Sequence, residues 1–432
     1  MSELQKKKDV YILGQGTYGC VYRPEVDCKN TKVGSTEYIS KIHQDDRSSK
    51  SEIRIGKIVK TIPRYGMRFG PIVDTCPVNY GKISNDELSA CKMYVKAKKK
   101  KTDVKFMSSK LKYVGKDTLG QFLDSILVAK QVNKDKSASQ YIKRIAETHL
   151  YLLESIAELN KYGIIHMDLK NNNIMYDSQN NVPVVIDFGL SYQMDWLNIE
   201  VYGKKANAAF GVDVKTYIPW CFEIIMLSYI ARKISNTKKY TVSTELLDTP
   251  IVDVQPLLSL CKAYVDENGV LNSGIFDANE KESYKTLLKK WVTDFKGKTW
   301  RTIWKEVSKT HATWDNYGLS SMYLTELNIS GLIKCNPSNT ADNTEMDFLY
   351  QYVKELKSVI LSDPLKRATA LETSARLDTI FRKTSGKLYN EKITKFAGMM
   401  NNPDGQKRIV DNRLKSESES VAQDRLVRRK MV

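Results

Sequence analysis

Apolar residues recur at helical spacing through Tyr141, Ile142, Ile145, His149, Leu152, Ile156 and Leu159, which predicts an amphipathic helix over 139–162 with one face buried. His149, on that face, reads as a core or boundary residue. A polar stretch follows, His166-Met-Asp-Leu-Lys-Asn-Asn-Asn173, and then two apolar runs, Ile174-Met-Tyr176 and Val182-Pro-Val-Val-Ile186, that predict short strands. Nearer the start, Val10-Tyr-Ile-Leu13 and Cys20-Val-Tyr22 predict strands on either side of a glycine-rich turn, and Glu37–Ile42 predicts another. Ser51–Val59 predicts a helix that must bury Ile53, Ile55 and Ile58, although Gly56 disfavours it by about 1 kcal/mol relative to Ala. Later stretches such as 284–292 carry one apolar and one basic face, as packed surface helices do.

The chain has 432 residues and 41% hydrophobic content, enough for a sizeable core. Lys and Arg (68) exceed Asp and Glu (50), a net charge of +18 that favours acidic partners such as an acidic protein substrate, nucleic acid or an anionic surface. The charge concentrates in Tyr94-Val-Lys-Ala-Lys-Lys-Lys-Lys101 and in the tail 382–432, where thirteen basic residues face six acidic ones. The tail has few large apolar clusters and is poorly equipped to fold alone. The opening Met1–Lys8 lacks the apolar run of a signal peptide, and no stretch of about 18 uninterrupted apolar residues could span a bilayer. An intracellular, cytoplasmic protein without a membrane span is expected. Seven dispersed cysteines with no Cys-x-x-Cys pair predict thiols rather than a disulfide framework or zinc site.

The chemistry concentrates in the polar stretch and in Asp187-Phe-Gly189, fourteen residues beyond Asn173 (187 − 173). The predicted strands bring two carboxylates, an amide and an ammonium to neighbouring strand ends, a set suited to a hard cation and phosphate. In phosphoryl transfer the protein mainly positions groups and neutralises charge on the transferred phosphoryl and leaving oxygen. Asp168 can accept a hydroxyl proton, Lys170 can hold a γ-phosphate, and Asn173 and Asp187 can each bind magnesium, or manganese in its place.

These motifs resemble the catalytic loop and metal loop of the protein kinases, and Lys170, two residues after Asp168, matches the serine/threonine version. Further elements resemble the family in the same order. Gly14-Gln-Gly16-Thr-Tyr-Gly19 runs from strand into strand, so it resembles a hairpin folded over phosphates rather than the turn of a dinucleotide-binding helix. The resemblance places Leu13, Gly14, Gln15, Gly16, Thr17, Tyr18 and Gly19 around ATP, Val21 over the adenine, and Cys20 as a thiol nearby. It makes Lys41 the catalytic lysine on the α- and β-phosphates, with Glu52, eleven residues on, as its ion-pair partner. Leu111 becomes the gatekeeper, Lys112 and Val114 the hinge beside the adenine edge, and Met175 part of the adenine site.

Tyr217-Ile-Pro-Trp-Cys-Phe-Glu223 resembles the close of an activation segment, and Asp363-Pro-Leu-Lys-Arg367 the later turn whose arginine pairs with that glutamate. Asp315 resembles the aspartate that braces the catalytic loop. Met167 stands where regulated kinases carry the arginine that receives an activation-loop phosphate. Activity independent of phosphate on Ser191, Tyr192, Tyr202 or Thr216 is therefore expected, with Lys204 and Lys205 as the alternative phosphate receivers.

The resemblance implies an α+β, two-lobed protein-kinase-like fold, with a small antiparallel-sheet lobe and a larger, mostly helical one. Its divisions would be a basic arm over 1–9, a small lobe over 10–114 with an insertion at about 75–105, a large lobe over 115–381 with a helical insertion at about 224–310, and a basic tail over 382–432. The divergent closing segment and the long insertion before Asp315 resemble the kinases of large DNA viruses, which would add the virion as a location. The expected activity is serine/threonine phosphorylation of a protein with ATP and magnesium. The alternatives are a pseudokinase scaffold, a small-molecule phosphotransferase of the same fold, and nucleic-acid binding through the basic segments.

Overall fold

The computed structural model describes residues 10–15, 19–26, 35–99, 105–128, 134–201, 210, 212, 214–236, 241–335, 348–384 and 403–431. The expected arm, the turn residues Gly16, Thr17 and Tyr18, and Tyr202, Lys204 and Lys205 lie outside them. Two compact units divide the chain, one from 1–116 with 175–191, the other from 117–174 with 192–432.

The first unit is built on a five-stranded antiparallel sheet. Its strands β1 (Tyr11–Gln15), β2 (Gly19–Arg23), β3 (Tyr38–Gln44), β5 (Asp74–Pro77) and β6 (Phe106–Lys112) stand in the order β1-β2-β3-β6-β5. Gly19 permits the close approach of β2 to β3, since a Cβ there would stand 2.5 Å from the Ile42 carbonyl oxygen. Helix α1 (Arg47–Val59) starts earlier than the apolar pattern suggests, because Asp46 and Ser49 form a reciprocal capping box ahead of it. Gly56 also acquires a reason: a Cβ there would meet the Ile72 backbone oxygen at 3.2 Å. A second, three-stranded sheet joins β4 (Phe69–Gly70), β7 (Ile174–Asp177) and β8 (Val182–Ile186) in the order β4-β8-β7.

Between β5 and β6 the lysine-rich stretch forms two short helices, α2 (Asn85–Ala90) and α3 (Lys92–Lys99). Here the expectation of free thiols fails in part, although Cys221 and Cys261 of the second unit are buried free thiols. Cys20 and Cys91 form a disulfide, with Cα atoms 5.9 Å apart, and Cys76 is disulfide-bonded as well. Cys20 is therefore no thiol beside a nucleotide; it is buried with Tyr22, Val26, Ile42, Ile83 and Leu88 in a cluster that includes Cys91. Spacing could not reveal a pair 71 residues apart, because folding alone brings the two sulfurs together.

The second unit is mostly helical. Helix α4 (Leu119–Val128) and the long α5 (Lys134–Lys161) pack together, and α10 (Trp314–Ile329) is buried on nearly every side, as a helix at the centre of a core must be. The segment before α10 forms α6 (Phe222–Ile234), α7 (Gln255–Glu267), α8 (Ala278–Thr293) and α9 (Trp300–Ser308), with α9 against α6 and α8 against α7. Helices α11 (Phe348–Leu361) and α12 (Ala370–Thr384) follow. The tail forms helix α13 (Pro403–Met431), packed on α4 and α10. Composition alone suggests a tail without structure; what it lacks in apolar residues is offset by docking onto a formed unit.

His149 of α5 is fully buried, with Nδ1 2.8 Å from the Tyr352 hydroxyl and its ring stacked on Tyr323 at 4.2 Å. Burial disfavours the charged imidazolium and pushes its pKa down to about 3. An unfolded chain takes up that proton below its ordinary value of about 6.5, so stability falls with pH from there towards 3, by at most about 1.4 kcal/mol per unit. Thermal unfolding from pH 7 down to about pH 4 should show this loss, and His149→Gln should flatten it. An equally steep slope in the variant would assign the effect to other groups.

Candidate active site

In the first unit, Lys41 on β3 extends its ammonium to both oxygens of Glu52 on α1, 3.0 Å from each, and to Asp187 Oδ1 at 3.4 Å. The three residues come from separate parts of the chain. Asp187 has a left-handed backbone (φ 59°), and Gly189 N–H donates to its side chain at 3.3 Å. For a non-glycine residue this conformation costs about 1 kcal/mol, so the surroundings must hold it. Phe188 does so from within the core, edge-on to Phe69 at 6.3 Å.

The other expected nucleotide residues of this unit surround β1, β2 and the end of β6. Val21 and Lys41 are direct partners across β2 and β3, and Ile39 and Leu111 across β3 and β6. Leu111 is buried, Lys112 is exposed, and Val21, Val114 and Met175 are half-buried. The chain just beyond Val114 passes close to β7: a Cβ on Gly115 would stand 2.7 Å from the Tyr176 carbonyl oxygen. Leu13, Gly14 and Gln15 are exposed, and Gly14 has open space where a side chain would stand. Gly19 differs, since its missing side chain already serves the contact with β3.

In the second unit, Asp315 at the start of α10 grips the polar loop 166–173 by its backbone. Its Oδ2 accepts from His166 N–H at 2.7 Å and its Oδ1 from Met167 N–H at 2.9 Å. Burial pushes the Asp315 carboxyl up, against the pull of His166 and these two donors. Met167 is buried and left-handed (φ 62°), and its carbonyl accepts from Trp220 Nε1 at 3.0 Å. The loop is thus over-determined where it is least relaxed.

Asp168, Lys170 and Asn173 converge there. Asn173 Nδ2 donates to the Asp168 carbonyl at 2.9 Å, and Lys170 Nζ lies 2.9 Å from Asp168 Oδ1. The Tyr217 hydroxyl donates to the same Asp168 oxygen and accepts from Lys170 at 3.0 Å. Lys170 also pairs with Asp424 of α13. Burial alone would lower the lysine's pKa, but Asp168 and Asp424 outweigh it and hold the ammonium above its ordinary value.

Four contributors escaped sequence reasoning: Tyr217 on Asp168, Trp220 on the Met167 carbonyl, Glu326 on Asn171 Nδ2 (2.8 Å), and Asp424. Tyr217 and Trp220 are visible in the closing segment, but only the fold shows what they touch. Nothing in the tail's composition singles out Asp424. Ser191 and Tyr192 are buried, and the Tyr192 hydroxyl donates to the Trp196 carbonyl at 2.9 Å.

Residues 85–202 match the protein kinase domain family. That span holds Asp168, Lys170, Asn173 and Asp187, while the glycine-rich turn, Lys41 and Glu52 lie before it. The fold is that of a protein kinase domain. A 50-residue stretch is 42% identical to "Probable serine/threonine-protein kinase fnkB" of Dictyostelium discoideum, covering 12% of this chain and 9% of that protein. A 105-residue stretch is 28% identical to "Cysteine-rich receptor-like protein kinase 27" of Arabidopsis thaliana, covering 24% and 15%. The chain therefore spans a small fraction of the length of these relatives, and the likeness supports a protein kinase family. No helix among the described residues is long and apolar enough to cross a membrane.

Glu223 and Arg367 form a fully buried two-pronged pair: Nη2 lies 3.2 Å from Oε2, while Nη1 meets Oε1. Removing either partner leaves a buried charge uncompensated and should destabilise the second unit by about 3 to 5 kcal/mol. Denaturant unfolding of Glu223→Ala, Arg367→Ala and the double variant should show the double costing less than the sum of the singles. Additive losses would mean the two charges do not meet in solution.

Proposed function

We propose that this chain transfers the γ-phosphate of Mg-ATP to a serine or threonine hydroxyl of an acceptor protein. The observation that carries this reading is the Lys41 ammonium set between Glu52 and Asp187, which are 11 and 146 residues away in sequence. Such a cation, fixed by one carboxylate beside another that can take a metal, suits the α- and β-phosphates. Asp168 supplies the proton acceptor and Lys170 the cation for the transferred group; the position of Lys170 favours serine or threonine over tyrosine.

Each of the two donors by itself fits a hard cation. Asp187 offers carboxylate oxygen on a partly exposed turn, and the Asn173 amide commits its nitrogen to the Asp168 carbonyl, which leaves oxygen as its ligand atom. Among the described residues no cluster of three or more His, Cys, Asp or Glu could form an all-protein cage, and magnesium is commonly held by one or two protein ligands with substrate phosphates completing its shell. When bound, the ion would neutralise charge on the phosphates.

The two aspartates should separate experimentally. Asp168→Asn should abolish transfer yet leave Mg-ATP binding within about two-fold, because its carboxylate positions the hydroxyl. Asp187→Asn should weaken both, having lost a charged ligand. Phosphate transfer to a general acceptor protein and nucleotide calorimetry on the two variants check this; substantial turnover by Asp168→Asn would defeat the assignment.

Buried, uncharged Met167 supports activity without an activation-loop phosphate, since the site offers no arginine there to reward one. Phosphatase-treated enzyme should keep turnover within about two-fold of untreated enzyme. A large loss restored by rephosphorylation would show a switch. The Tyr217-x-x-Trp220-x-x-Glu223 ending and the long insertion before α10 support a place beside the kinases of large DNA viruses, acting in infected-cell cytoplasm or from the particle.

A further inference from the structure

Arg413 of α13 is buried in an acidic site of the second unit. Its Nε and Nη2 donate to the two oxygens of Asp124 at 2.8 and 2.9 Å, and its Nη1 to Glu326 Oε2 at 2.8 Å. Its Nη2 also reaches Glu326 Oε1 and, at 3.4 Å, the Gly120 carbonyl. Gly120 makes the room: a Cβ there would stand 2.7 Å from Arg413 Nη1. Through Asn171, Glu326 ties this arginine site to the loop that carries Asp168.

Eleven residues further along the same helix (424 − 413), Asp424 pairs with Lys170 and lies 2.9 Å from the Tyr217 hydroxyl, whose single proton it shares with Asp168. Between these two anchors the fit is loose. A cavity of about 440 Å³ is lined by Lys170, Asn171, Tyr217, Ser416, Ser420 and Gln423 among others. Ile409, Arg413 and Val427 are buried, whereas Leu414 is 60% and Leu426 42% exposed. A helix docked for stability would bury a continuous apolar stripe. This one places charged groups at the arginine site and at the base.

We propose that α13 occupies the acceptor-protein groove of its own chain, with Arg413 filling an arginine-binding subsite formed by Gly120, Asp124 and Glu326 and Asp424 standing where the acceptor residue would approach Asp168. The inference rests on the reading of Asp168 as the group that receives the acceptor hydroxyl. It names the substrate class: a basic segment with an arginine about 16 Å before its acceptor residue, the span of eleven helical residues. An extended segment covers that distance in about five residues. The chain's positive net charge points to acidic partners in general, but this groove is acidic where an arginine enters.

The test compares the full wild-type chain with Ser418→Pro. Residue 418 is exposed on α13, and proline inside the helix removes a backbone hydrogen bond without altering the groove. The acceptor is a synthetic peptide with one serine and an arginine five residues before it, alongside the same peptide with glutamine for arginine. If the tail leaves the groove free about a tenth of the time, Ser418→Pro should lower KM for the arginine peptide about ten-fold while leaving KM for Mg-ATP unchanged. The glutamine peptide should lose about ten-fold in kcat/KM. Equal acceptor constants in the two chains would overturn the proposal.

A second measurement needs no catalysis. A fluorescent peptide of residues 405–430 should bind the Ser418→Pro chain and not the wild type, and its Arg413→Ala version should bind about ten-fold more weakly. Binding indifferent to Arg413 would also overturn the proposal. A chain that transfers no phosphate in either form would count against the proposed function, and the peptide titration would still decide where the tail sits.

Discussion

The polar loop 166–173 depends on one carboxylate. Asp315 holds two successive backbone amides, those of His166 and Met167, from a helix buried on nearly all sides. That grip stabilises a left-handed backbone at Met167, which an unconstrained chain would leave. With the backbone so fixed, Asp168 and Asn173 follow within one short turn, and Asn173 locks back onto the Asp168 carbonyl. Trp220 repeats the logic from the other side by capping the Met167 carbonyl. The Asp168 carboxylate is thereby kept in position by buried groups on rigid elements, without reorganising.

The same principle governs the charges. Lys41 pairs with Glu52 and Asp187 in the first unit, and Glu223 with Arg367 in the second. A buried ion pair need not add net stability, but it penalises arrangements in which one partner is lost. Glu223 sits in the first turn of α6 and Arg367 between α11 and α12, so their meeting fixes how the closing segment joins the helical core. Tyr217 lies just before that fixed point, which lets its hydroxyl be delivered to Asp168.

The cysteines show where local reading stops. Cys20 belongs to a strand and Cys91 lies between two short helices of a lysine-rich stretch, and nothing in either neighbourhood announces the other. Their pairing ties that stretch to the sheet next to the glycine-rich turn. The tail teaches the same lesson, since a composition too polar to make its own core can still be ordered by charged contacts with a core made elsewhere.

The sequence by itself determined the local elements and the chemical types: a long amphipathic helix leading into Asp168, Lys170 and Asn173, strands around a glycine turn, and Asp187 before Phe188 and Gly189 at the end of a strand. These follow from periodicity and spacing, which act over a few residues. The pairs Lys41 with Glu52 and Glu223 with Arg367 were legible because their residue types stand in recognisable order, and the structure places both pairs in contact. Tertiary structure decided what no window of sequence contains: the disulfide of Cys20 and Cys91, the Tyr217 hydroxyl on Asp168, and the seating of Arg413 and Asp424 beside the 166–173 loop. Each joins residues from 49 to 289 positions apart. Such contacts form where separately specified elements pack, and a packed surface is shaped by every element beneath it rather than by the residues that touch.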